Sequence, residues 1–324
     1  MKRVGSLFFI IISFLFYFAF LIPRPSLAFW VWTPQTNKWV NPKFSVKDTP
    51  GEQLQEGLAF FEQGQCPEAI REFKKLLKHY PRSRQAPEAQ FYIAACQEKQ
   101  GRLVQAVKSY QLVIDKYPFS ERSAEVVKRQ YRLGVKLMEG RPKKGWKKVF
   151  SADDYGVVDI FRQVIKNAPY GPLAAPAQYK IGLYLLEKEL YQEARDAFEK
   201  VVNDYPASPW VKAARYQMAV TDAKRSTAAG YDQKITQAAV KEFHEFLASY
   251  PDAELSEKAK KEIHRLQDKE AENAFVIARF YEKQKRYDAA RVYYQKVVEA
   301  YGRSSWAVKA LKRIQALGEK ETNE

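Results

Sequence analysis

Residues 194–206 read Ala194-Arg195-Asp196-Ala197-Phe198-Glu199-Lys200-Val201-Val202-Asn203-Asp204-Tyr205-Pro206. Steps of four and then seven separate Ala194, Phe198 and Tyr205, which sets all three on one face of a helix. The small Ala lets a neighbouring helix come close, and the Phe ring fills the contact. Pro206 stops the helix, because a proline cannot continue one. The same beat returns as Ala69/Phe73/Tyr80-Pro81, Ala106/Tyr110/Tyr117-Pro118 and Ala239/Phe243/Tyr250-Pro251. Two looser copies, Val157/Phe161/Ala168-Pro169 and Ala290/Tyr294/Tyr301-Gly302, complete a set of six. A fixed internal period predicts an array of helical hairpins and points away from an enzyme.

Twelve residues before the Ala, another small residue stands in four copies: Gly57, Ala94, Gly182 and Ala278, with Phe60 and Tyr281 three further on in two of them. This pattern resembles the tetratricopeptide repeat, whose helix A has a small residue and an aromatic and whose helix B carries A-x3-F and a late Pro. Pro81 to Pro118 and Pro169 to Pro206 are each 37 residues apart, slightly over that family's period of about 34. The fold expected is all-α: a superhelix of about six hairpins over residues 50–317, closed by a helix from Ser304 to Leu317, with a polar tail at 318–324. The sixth copy has the longest first helix, about Leu255 to Lys285, and its helix B runs from Asp288 to Tyr301.

Insertions stretch the third and fifth copies, near 140–156 and 225–233. The first holds a basic loop around Trp146 (Lys143, Lys144, Lys147, Lys148) and then Ala152-Asp153-Asp154, a helix-start signal. The second holds Ser226 to Gly230 ahead of helix B. Both are interaction candidates, and ordinary solvated loops are the plain alternative.

Residues 1–28 read as a secretory signal: Lys2 and Arg3, an apolar run from Leu7 to Ile22, and Ser26-Leu27-Ala28 as a small-x-small cleavage site. An uncleaved inner-membrane anchor is the alternative, since the run is slightly long for a signal and slightly short for a span. No Cys stands near the cleavage site for lipid attachment. The periplasm, next to the outer membrane, is the compartment expected. Without the leader's three basic residues the chain keeps a formal charge of +13. Such a balance favours acidic partners; export argues against nucleic acid and leaves protein surfaces and peripheral membrane contact. Partner identity and oligomeric state are open.

Catalytic chemistry is not expected. The three His, at 79, 244 and 264, form no metal-ligand spacing, and there is no phosphate loop, G-x-S-x-G or Cys–His pair. No cofactor is expected. The only cysteines are Cys66, at the start of helix B of copy one, and Cys96, late in helix A of copy two. Antiparallel packing brings them near each other, so a disulfide is expected in an oxidising compartment, with two buried thiols as the alternative.

Partner-binding candidates come from three places. The arm at 29–49 opens Phe29-Trp30-Val31-Trp32 and continues through Trp39, two aromatic runs around a Thr-Pro-Gln-Thr-Asn turn that read as a short hairpin or an extended arm. It serves as a cap over the first repeat, a docking peptide or a membrane-surface contact. Trp146 lies in the basic loop. Three residues before the small position of helix A stand Leu54, Phe91, Tyr131, Tyr179, Tyr216 and Phe275, with Arg279 one residue after it in the sixth copy. This stripe reads either as a peptide groove or, preferably, as core between helices.

The closing stretches Tyr80-Pro-Arg-Ser83, Tyr117-Pro-Phe-Ser120 and Tyr205-Pro-Ala-Ser208 resemble the periplasmic BamD (YfiO) family. Ala278-Arg279-Phe280-Tyr281, Tyr287-Asp-Ala-Ala290-Arg291 and Val298-x-x-Tyr301 carry the resemblance into the last repeat. It spans roughly residues 50–317. The resemblance implies a non-enzymatic scaffold of the machinery that folds β-barrels into the outer membrane. Its N-terminal repeats would meet unfolded substrate, and its C-terminal repeats the barrel subunit. Phe29 and Trp30 stand where family members carry a lipidated Cys. The alternative is a periplasmic repeat adaptor coordinating cell-envelope or cell-wall processes.

Overall fold

The computed structural model describes residues 30–33, 38–41, 45–140, 156–228, 233–251 and 254–321. The leader, the basic loop with Trp146 and Asp153-Asp154, and Ala229 to Asp232 lie outside them. The chain divides into two compact units, residues 1–100 and 101–324.

The first unit holds strands β1 (Val31–Thr33) and β2 (Lys38–Val40) and helices α1 (Pro50–Glu62), α2 (Cys66–His79) and α3 (Ala86–Lys99). The strands form an antiparallel hairpin that pairs Val31 with Val40, Trp32 with Trp39 and Thr33 with Lys38. Thr49 caps α1 by accepting from Glu52 N at 3.2 Å, with Pro50 at the first helical position, where a missing N–H costs nothing. The strap leading into α1 is tied down by polar contacts. Lys75 Nζ donates to Ser45 O at 3.1 Å, Tyr80 OH to Lys47 O at 2.7 Å, and Lys47 N to Gln53 Oε1 at 2.9 Å.

The second unit holds α4 (Leu103–Lys116), α5 (Ser123–Glu139), α6 (Val157–Asn167), α7 (Ala174–Glu187), α8 (Tyr191–Asp204), α9 (Trp210–Ala228), α10 (Gln233–Ser249), α11 (Glu254–Lys283), α12 (Tyr287–Ala300) and α13 (Ser305–Glu321). Each helix packs on the next, and α13 also returns to α11. The protein is an all-α tetratricopeptide-repeat fold with one small β-hairpin at its start.

The beat builds the core. Its Ala or Val and its first ring are fully buried in all six copies, from Ala69 and Phe73 to Ala290 and Tyr294. The residue before the Pro or Gly is half-buried and ends its helix; Tyr80 N, for example, returns to Leu76 O at 2.7 Å. Four of the hairpin turns share a device among the described residues. Gly64, Gly101, Glu189 and Lys285, each two residues before helix B, take φ of 75°, 74°, 62° and 58°. At Gly64 the 6→1 bond Gln65 N to Phe60 O and the bond Gly64 N to Phe61 O make a Schellman turn.

Two sequence expectations are corrected. Ser226 to Ala228 continue α9 instead of opening a loop, because Ala, Lys and Arg favour helix and Ser226 Oγ is satisfied by Ala223 O at 2.9 Å. The tail expected from Gly318 is helical to Glu321: a Cβ added at Gly318 would meet only open space, and Glu-Lys-Glu extends the helix readily.

Candidate functional site

The interior strips two of the helix A aromatics from the list of binding candidates. Phe91 is 3% exposed and Tyr179 8% exposed. Tyr179 packs between Phe198 and Trp210 at centroid distances of 5.5 and 4.9 Å. Tyr131 and Tyr216 are half-buried, their rings set against Phe161 at 5.7 Å and Phe243 at 5.9 Å. Phe91 and Tyr179 are packed in the core, while Tyr131 and Tyr216 set one side against the core and keep part of their surface open. The tetratricopeptide pattern places a Trp four residues before the small position of helix A; these copies have none there, and the neighbouring ring fills the space between helices.

Cys66 and Cys96 come together as expected from antiparallel α2 and α3, and the structure holds both as free, buried thiols. Burial pushes the Cys96 thiol up to about 12, and a hydrogen bond to Cys66 adds to the rise.

Of the sequence candidates among the described residues, Trp30, Trp32, Trp39 and Arg279 are exposed, towards the two ends of the chain. Trp30, Trp32 and Trp39 are 58%, 45% and 65% exposed. Residues 45–48 are fastened to the first repeat by polar contacts, while these rings stay exposed. At the other end, Val276, Arg279 and Phe280 follow one another at helical spacing on α11 and are all exposed. Val292 on α12 and Val308 and Leu311 on α13 are exposed as well. Beneath them the helices are bound by Glu282, which accepts from Tyr294 OH at 2.8 Å and from Arg313. Burial, then Glu282, pushes the Tyr294 hydroxyl up to about 12.

Two features escaped sequence reading. Phe119 and Tyr170 are 99% and 100% exposed, each directly after the Pro that closes a repeat. The position after that Pro was the available signal. Beside Tyr170, a shallow cleft of about 470 Å³ is lined by Pro172, Ala175, Tyr205, Pro206, Pro209 and Trp210. Second, an ion cluster ties α8, α9 and α10. Arg195 reaches Asp222 at 3.2 Å and Glu242 at 2.7 Å, and Arg225 meets Asp222 at 3.2 Å. Burial pushes both carboxyls above their ordinary values while Arg195 pulls each back, and no sequence spacing announces the cluster.

Comparison with known proteins fits this division. A family model described as an outer membrane lipoprotein, YfiO, matches residues 218–323. Tetratricopeptide-repeat models match residues 54–121 and 176–208. The outer membrane protein assembly factor BamD of Caulobacter vibrioides is 26% identical over 157 residues, 48% of this chain and 52% of that protein. The match thus spans about half the length of that curated relative. Similar solved structures include a tetratricopeptide repeat protein from Parabacteroides merdae, 14% identical, covering 82% of this chain and 98% of that one at a TM-score of 0.35. MamA from Desulfovibrio magneticus is 15% identical, covering 65% and 99% at a TM-score of 0.34. The chain is a BamD/YfiO-like tetratricopeptide-repeat protein.

Proposed function

We propose that the chain is a non-enzymatic periplasmic scaffold of outer-membrane β-barrel assembly, holding a protein partner on its C-terminal hairpins. The observation that carries this reading is one of position. The YfiO match at 218–323 covers the helices whose surface leaves Val276, Arg279 and Phe280 uncovered. An arginine between two apolar side chains on a rigid helix is the composition of an interface centre, where aromatic and Arg anchors carry most of the binding energy. The polar link from Glu282 to Tyr294 and Arg313 ties the helix that carries the stripe to the next two, so a partner meets a preformed surface.

The test is a photo-cross-linker at position 280 in intact cells, together with the double variant Val276→Ser/Phe280→Ser. A barrel-assembly subunit captured at 280, lost capture in the double variant and lowered outer-membrane barrel levels are the expected results. Substitution on the exposed stripe should change stability by less than about 0.5 kcal/mol. Capture of cell-wall or septal proteins, with normal barrel levels, would replace this reading by that of an envelope adaptor.

A further inference from the structure

We propose that the tryptophan hairpin at residues 30–40 is a membrane-surface anchor that lays its indoles into the interface of an anionic phospholipid bilayer. The register places Trp32 directly opposite Trp39, and cross-strand partners share a face. Trp30 directly precedes β1, two residues before Trp32, the spacing that extended backbone sets on one side. Three of the chain's six tryptophans therefore stand together, and each is about half or more exposed.

Three properties select a lipid surface as the occupant. The first is area. Three indoles at these exposures offer roughly 250–400 Å², well under the about 800 Å² per partner of a stable protein interface. Partial insertion into a bilayer needs no such area, because the amphipathic indole settles at the headgroup level with its ring in the apolar zone and its N–H wet. The second is charge: residues 29–47 carry Lys38, Lys43 and Lys47 and no Asp or Glu. Each lysine held near an anionic surface adds attraction. The third is tethering. Polar contacts to Lys75, Tyr80 and Gln53 fasten residues 45–48 to α1 and α2. A hairpin bound to lipid would thus hold the first unit at the bilayer, at the place in the chain where an acyl-bearing Cys is absent.

The measurement is tryptophan emission of the protein recovered from cells, mixed with vesicles of phosphatidylethanolamine and phosphatidylglycerol whose acyl chains are brominated. Residues 1–28 contain no tryptophan, so the readout is the same whether or not the leader is retained. Quenching should remove up to about half of the emission, three tryptophans of six. It should weaken when phosphatidylglycerol is replaced by phosphatidylcholine and vanish in Trp30→Ser/Trp32→Ser/Trp39→Ser. Circular dichroism of the triple variant checks that the helices are intact, and the single variant Trp39→Ser should lose part of the quenching. Equal quenching in wild type and triple variant would overturn the proposal. So would no quenching of the wild type, or a photo-cross-linker at position 32 that captures protein and no lipid in cells.

Discussion

The first hairpin, α1–α2, and the last, α11–α12, answer one packing problem with different residues. In the first, Gly57 lies so close to the Phe73 ring that an added Cβ would stand 2.4 Å from it. Hairpin α7–α8 repeats the arrangement, with 2.5 Å between a Cβ on Gly182 and Phe198. In α11–α12 the equivalent residues are Ala278 and Tyr294, and the tyrosine hydroxyl donates to Glu282, which also takes Arg313 from the next helix. The first hairpin is closed by a ring against bare backbone, with Gln53 Nε2 donating to Glu72 at 3.1 Å between its own two helices. The last adds a polar link to its neighbour and keeps an uncovered stripe on its outer side. The same register therefore serves packing throughout, and the last hairpin pairs it with the exposed Val276 and Phe280.

Removing the ring breaks the comparison most severely. Phe73→Ala and Phe198→Ala should each cost about 3–5 kcal/mol, read as a lower urea midpoint of the helical signal. Adding a methyl comes next. Gly57→Ala and Gly182→Ala should cost about 1–3 kcal/mol, although alanine is the better helix former by about 1 kcal/mol. If either variant is stabilised instead, the close approach is not what the glycine is for. On the other side, Tyr294→Phe keeps the ring and removes the hydroxyl, for a loss of about 1–2 kcal/mol.

The tyrosines also sharpen the contrast by pH. Burial, with Glu282 and Glu270 respectively, pushes Tyr294 and Tyr301 from 10.0 up to about 12. A folded value above the unfolded one gives a contribution complete below about pH 10 and lost as pH rises through 12. Alkaline titration of the helical signal should show this loss in the wild type and a smaller one in Tyr294→Phe. The smallest effect lies in the turns. Lys285→Gly and Glu189→Gly should stabilise by up to about 1 kcal/mol, since a side chain at positive φ is strained and glycine is not. Gly64→Ala should lose a similar amount.

These turns also mark where the sequence stopped being legible. Ala, ring and Pro at fixed spacing specify helix, contact and stop in purely local terms, so the hairpins and the ends of α11 and α12 could be placed within about two residues. Gly64 and Gly101 announce their left-handed turns. Glu189 and Lys285 adopt the same backbone with no local signal, because neighbouring helices impose it. The helix A rings were readable as aromatic but not as accessible: burial of Phe91 and Tyr179 is set by neighbouring helices. The cluster of Arg195, Asp222 and Glu242 joins residues from three helices and has no spacing to read. The open tryptophan face needed the strand register, which a turn of uncertain length leaves undetermined.

One consequence follows from the buried thiol pair. While α2 and α3 stay packed, no disulfide donor in solution can reach Cys66 or Cys96, and a thiol at about 12 yields almost no thiolate to attack one. Oxidation or its failure is therefore decided before those two helices close. The folded protein then carries the result unchanged, as a chemical record of the compartment in which it folded.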